Sequence, residues 1–173
     1  MSIGEAERKT QNKVIEFFTA PNLLSYRYLG NLKNAVNKNI REDDLCRYLH
    51  YKGYSDALIK GAVTQLRKAA NDLSHGIYAA NKAVYALLKY GAKVAESPEK
   101  PPQTVYFIDA ERPQNNDFAI AEEVTVVEKS EKRPDLVVYI NGIAIAVIEL
   151  KRRSVSVSEG IRQILTHQKD TFI

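Results

Sequence analysis

Asp135, Glu149 and Lys151 are the residues whose types and spacing suit them to chemistry: an aspartate after Arg133-Pro134, and a Glu149-Leu150-Lys151 element beyond an Asn141-Gly142 turn signal. Phosphodiester hydrolysis needs a nucleophilic water, stabilisation of developing charge and help for the leaving oxygen, and hard divalent cations held by carboxylates serve all three. A second reading stays open on spacing alone, and there it is the commoner one. In it Asp135 caps a turn after Pro134, and Glu149 and Lys151 form a solvated pair at a strand end.

The elements that must position these residues are two strands, Leu136 to Ile140 and Ile143 to Leu150, around Asn141-Gly142. That dipeptide is a strong hairpin signal, because both central residues of a type I′ turn need positive φ. Both strands are apolar on both faces, the pattern of central, covered strands. Alternation sets Val147, Glu149 and Lys151 on one face and Ala146, Ile148 and Leu150 on the other. A charge placed directly after so apolar a run is costly unless it is paired or binds a metal. Register raises a difficulty: a strict two-residue loop pairs Asp135 with Ile148 and turns the two carboxylates to opposite faces. The expectation is therefore a three-residue connection with a bulge, or a bend near Pro134-Asp135.

Further candidates lie outside the hairpin. Glu7 shares a helical face with Thr10, Val14 and Phe17, and reads either as a carboxylate reaching the metal site or as a favourable charge in a first helical turn. Lys151-Arg152-Arg153 is either ordinary surface charge or a phosphate-binding run. Gln163 and His167, four apart, sit on the polar face of a last helix.

That helix is expected through Ile161, Ile164 and Leu165 after a Ser156/Glu159 capping box, and a first helix from Ile3 to Phe18 after a Ser2/Glu5 box. A short strand at Tyr26 to Leu29 precedes three helical patterns: Leu45/Tyr48/Leu49, Leu58/Val63/Leu66/Ala70/Leu73 and Ile77/Ala80/Val84/Leu87/Leu88. Gly53 and Gly91 close two of them. From Ala92, with Ser97, Pro98, Pro101 and Pro102 as connector, the runs Thr104 to Ile108 and Phe118 to Val127 point to a sheet. The chain is expected to be one domain over residues 1–173, mainly helical over 1–91 and sheet-containing over 92–173. Its apolar end at Thr171-Phe172-Ile173 points to a fragment of something longer.

Composition narrows the field. The 173 residues carry 25 Lys+Arg against 21 Asp+Glu, a net +4 that mildly favours a phosphate-rich partner. With one cysteine, Cys46, and three histidines, neither an intramolecular disulfide nor an ordinary zinc site is expected. The longest apolar run, Gly142 to Ile148, is far short of the roughly 18 residues of a membrane helix, and the N-terminus is unlike a signal peptide. A soluble protein of a reducing cytoplasm, with no membrane partner, is expected.

Taken together, Arg133-Pro134-Asp135-Leu136-Val137, the hairpin, Val147-Ile148-Glu149-Leu150-Lys151 and Glu159-Gly160-Ile161-Arg162-Gln163 resemble the N-terminal nuclease region of the restriction (R) subunit of type I restriction-modification enzymes, within the PD-(D/E)xK nuclease superfamily. Glu7 to Asn12, Tyr26 to Gly30, Gly91 to Ile108 and Asn116 to Val124 resemble it too, so the likeness runs over nearly the whole chain. It implies an α/β, restriction-endonuclease-like core, a mixed central sheet flanked by helices, with a helical N-terminal half. It implies that Asp135 and Glu149 hold Mg²⁺, that Lys151 positions water and stabilises negative charge, and that Glu7 assists. Gln163 corresponds to the glutamine of a Gln-x-x-x-Tyr element whose tyrosine position is held here by His167. Double-stranded DNA and the methyltransferase and specificity subunits are the implied partners. ATP would bind only in motor domains elsewhere, since no G-x-x-x-x-G-K-[ST] loop occurs in these residues. Two other functions remain open: a repair or recombination nuclease on the same core, and a non-catalytic domain that docks DNA or other subunits.

Overall fold

The structure is a computed structural model. It describes residues 5–35, 38–127 and 131–150 and, beyond these, residues 158, 161, 162 and 165. The elements in chain order are α1 (Glu5–Thr19), β1 (Arg27–Asn31), α2 (Glu42–Tyr51), α3 (Asp56–Asn71), α4 (Ile77–Tyr90), β2 (Ala92–Val94), β3 (Gln103–Val105), β4 (Phe118–Glu122), β5 (Val126–Val127), β6 (Glu131–Lys132), β7 (Leu136–Ile140) and β8 (Ile143–Ile148). Two compact units result, one from the chain up to Asn39 and from Asp117 onward, the other from Ile40–Asn116. The helical pattern of the first half is thus divided: α1 and β1 belong with the sheet.

The sheet unit has strand order β1-β4-β7-β8. β1 runs parallel to β4, and β4, β7 and β8 are antiparallel neighbours, so the sheet is mixed and the fold is α/β. β7 is the covered central strand that its sequence predicts: Leu136, Val137, Val138 and Tyr139 are all buried. Each such aliphatic side chain contributes roughly 1.5–3 kcal/mol by leaving water. β8 departs from that expectation. It is last in the strand order, with Ile145 and Ala146 exposed, so its apolar run reflects composition rather than cover on both faces.

One face of this sheet gathers Ile120, Leu136 and Val138 against Val14, Ile15 and Phe18 of α1, together with Tyr26, Ile148 and Leu150. The other gathers Ala119, Ala121, Val124, Val137 and Tyr139 with Leu29, Leu32, Ala144 and Val147. The expected strand Phe118 to Val127 is in fact two, β4 and β5, because Glu123 between them adopts φ 53°.

The helical unit packs α2, α3 and α4 around Leu45, Leu49, Leu58, Ala62, Leu66 and Val84, largely the periodic positions of the sequence. Leu73 is exposed because α3 already ends at Asn71. A short antiparallel pair, β2 with β3, completes this unit. Gly91, at φ 76°, links α4 to it, and a Cβ there would lie 2.6 Å from Thr104 Cγ2 and 2.8 Å from the Val105 carbonyl oxygen. No helix among the described residues is long and apolar enough to cross a membrane.

Candidate carboxylate site at the end of the sheet

The hairpin decides the site. Asn141 and Gly142 take φ 51° and 83°, the type I′ signature, and Ile140 pairs with Ile143 across a two-residue turn. Tyr139 pairs with Ala144 but Val138 pairs with Ala146, so Ile145 is an extra residue absorbed as a β-bulge. Past the bulge Val137 faces Val147 and Leu136 faces Ile148. Asp135, at a bend, and Glu149 are the next residues beyond the end of this register. Of the two alternatives expected from the sequence, the three-residue connection is not used, since the one-residue shift is made inside β8, while Asp135 itself lies at a bend.

The local bonds agree with that register. Asp135 Oδ2 accepts the Leu150 N–H at 2.6 Å, which fastens the aspartate to the end of the neighbouring strand. Its carbonyl oxygen accepts the Glu123 N–H at 2.9 Å, so the ends of β4, β7 and β8 are tied side by side. Glu149 Oε1 is shielded from solvent. Glu123, buried, is ion-paired to Arg133 Nε at 2.9 Å, which offsets one negative charge in this acidic corner. Val137 and Val147 share the face opposite to the one on which α1 packs, and Asp135, at a bend before β7, and Glu149, just past β8, each lie two residues from them in the chain.

Two adjacent carboxylates are the hard oxygen donors that Mg²⁺ takes, and Mg²⁺ characteristically uses one or two carboxylates and fills its remaining positions with water and substrate phosphate. Among the described residues no group of three His, Cys, Asp or Glu side chains is placed to hold a metal. Lys151, Arg152, Arg153, Gln163 and His167 lie outside the described residues, as does the side chain of Glu7, although Glu7 falls within α1 as expected. Positions 158, 161, 162 and 165 are helical, in keeping with the last helix, while Ser156, Glu159 and Ile164 lie outside the described residues.

Sequence reasoning gave no role to a second polar cluster, centred on Glu122. This buried carboxylate accepts Arg8 Nη1 at 2.6 Å and Arg8 Nη2 at 3.2 Å, Gln11 Nε2 at 2.8 Å and the Tyr28 hydroxyl at 2.7 Å. It joins α1, β1 and β4 one residue before Glu123. Burial, then the hydrogen bond to Glu122, push the Tyr28 phenol up to about 12, and the same carboxylate raises the Arg8 guanidinium. The available signal was a glutamate pair closing the apolar strand Phe118 to Ala121, with Arg8 and Gln11 three apart on one helix.

A mixed α/β core built on a mixed four-stranded sheet is a nuclease-like architecture. The sequence comparison narrows this class: over residues 5–172 the chain matches the type I restriction enzyme R protein N terminus family, and it belongs to that family. A provisionally named type I restriction enzyme endonuclease subunit of Methanocaldococcus jannaschii is 30% identical over 86% of this chain, an alignment covering 16% of that protein. A type I restriction enzyme endonuclease subunit of Staphylococcus saprophyticus is 32% identical over 38% of this chain and 7% of its own length. One from Staphylococcus aureus strain COL is 29% identical over the same shares. The chain thus spans less than a fifth of the curated relatives it matches. No solved structure matches it.

Proposed function

We propose that this chain is the endonuclease domain of a type I restriction enzyme R subunit and that it hydrolyses phosphodiester bonds of duplex DNA with Mg²⁺. The observation that carries this reading is the bulge at Ile145, which ends the β7/β8 register with Leu136 opposite Ile148, the neighbours of Asp135 and Glu149. Asp135 and Glu149 would hold the ion, which when bound supplies a Lewis acid and a water of lowered pKa. The Leu150 N–H keeps the aspartate on the Glu149 side, and the Glu123 N–H fixes the main chain beneath it. Lys151 would neutralise charge on the attacked phosphate, Gln163 would orient the substrate and Glu7 would assist at the metal. Lys151, Arg152 and Arg153 would contact the DNA backbone. In this reading other parts of a longer polypeptide translocate DNA at the expense of ATP, methyltransferase and specificity subunits supply sequence recognition, and the enzyme works in the cytoplasm.

Nicking of supercoiled plasmid tests the site. With Mg²⁺ the wild-type protein should nick, and Asp135→Asn or Glu149→Gln should each lower the rate roughly a hundredfold or more while duplex binding persists. Nicking that survives both substitutions would remove the site.

A further inference from the structure

The outer face of α4 carries exposed tyrosines and lysines. Tyr78, Lys82, Tyr85 and Lys89 recur at intervals of four, three and four, which lines them along one side of the helix, while Ala80 and Val84 bury the other. Tyr78 is 79% exposed and Tyr85 63%, too open for core packing to account for them. Lys89 Nζ lies 5.9 Å from the Tyr85 ring centre and 5.1 Å from that of Tyr90, so amine and phenols form one cluster.

Charge identifies the partner. The helix Ile77–Tyr90 contains no aspartate or glutamate, and between Asp56 and Glu96 the single acidic residue, Asp72, is set against Lys60, Arg67, Lys68, Lys82, Lys89 and Lys93. Of the unit's basic residues Arg41, Arg47, Lys52, Lys100 and, within that stretch, Arg67 are tied to carboxylates. Among the described residues Lys82 and Lys89 are paired with none. Tyrosine suits either a protein or a nucleic acid, but lysine is depleted at the centre of protein interfaces, whereas lysine amines and tyrosine hydroxyls both donate to phosphate oxygens. From Tyr78 to Lys89 the stripe extends about 16 Å at 1.5 Å per residue, a length of duplex that carries on the order of ten phosphate charges.

We propose that this Tyr78-Lys82-Tyr85-Lys89 face binds the phosphate backbone of duplex DNA, as a contact separate from the carboxylate site. The choice of DNA among polyanions rests on the nuclease reading above; the polyanion itself rests on the face.

The test is binding of a short fluorescein-labelled duplex by the full chain, followed by anisotropy with EDTA present so that nothing is cut. Lys82→Ala/Lys89→Ala should weaken binding roughly 50-fold at 0.1 M salt and reduce the slope of log K against log salt by about 2. Tyr78→Phe/Tyr85→Phe should weaken it further when combined with the lysine pair. Circular dichroism of each variant should match wild type, since all four side chains are on the surface. A lysine variant with wild-type affinity and slope overturns the proposal, as does a wild-type chain that binds no duplex. Displacement of the duplex by polyglutamate as readily as by unlabelled DNA reassigns the face to an acidic protein and overturns it too. A chain that binds with the expected salt slope but never nicks sinks the nuclease reading and leaves this one standing.

Discussion

Replacing Glu122 by glutamine and, separately, by leucine measures how firmly α1 and β1 are locked to the sheet beside the carboxylates. Four donor hydrogens converge on this buried side chain, two from Arg8 and one each from Gln11 and Tyr28. Glutamine can turn its carbonyl to the side shared by Arg8 Nη1 and Gln11 and its amide to Tyr28, whose hydroxyl can rotate to accept. What is lost is the charge assistance of Arg8 and its weaker 3.2 Å bond. Bonds to charged groups are worth about 1.5–3 kcal/mol against about 0.5–1.5 for neutral ones, and Arg8, at 43% exposure, recovers part of the loss from water. The expected cost of Glu122→Gln is therefore about 2 kcal/mol. Leucine leaves Gln11, fully buried, and Tyr28 facing an apolar group and leaves Arg8 unpaired, so its cost should be about 4 kcal/mol. Urea unfolding followed by circular dichroism reads both as shifts of midpoint at unchanged slope. Equal costs for the two substitutions, or a glutamine cost below about 0.5 kcal/mol, would refute the view that a charged four-donor cluster fastens these elements.

The same cluster has a signature at high pH. Because the folded-state pKa of Tyr28 is raised to about 12, its contribution is complete below the ordinary phenol value near 10 and is lost as pH rises through about 12. Tyr28→Phe should delete a tyrosinate absorbance step near 12, and an unchanged titration would count against the assignment. The hairpin turn offers a second test: Asn141 Oδ1 accepts the Asp117 N–H at 2.7 Å while Asn141 itself sits at φ 51°. Asn141→Gly loses that bond, at about 1 kcal/mol, and keeps the backbone unstrained, whereas Asn141→Ala adds the left-handed penalty for about 2–3 kcal/mol in all. Thermal unfolding that ranks alanine above glycine would contradict this account.

The sequence alone determined what depends on local rules. Asn141-Gly142 prescribes the type I′ turn, Gly53 and Gly91 take positive φ after α2 and α4, and β7 has the residues of a buried strand. These follow from φ preference and apolar pattern over a few neighbouring residues, and the chain-wide resemblance carried the family. Tertiary structure decided what depends on partners distant in the chain. That β8 is last in the sheet cannot be read from a run as apolar as Ile143 to Ile148, because composition does not say which neighbours are present. The Glu122 cluster needs α1, β1 and β4 at one place, contacts more than ninety residues apart that no local window contains. The position of the bulge belongs to the same class. Spacing showed that one residue too many separates Asp135 from Glu149 for a plain hairpin, but only the pairing of both strands within the sheet sets that residue at Ile145. There the turn keeps its two-residue geometry and the register ends with Leu136 opposite Ile148.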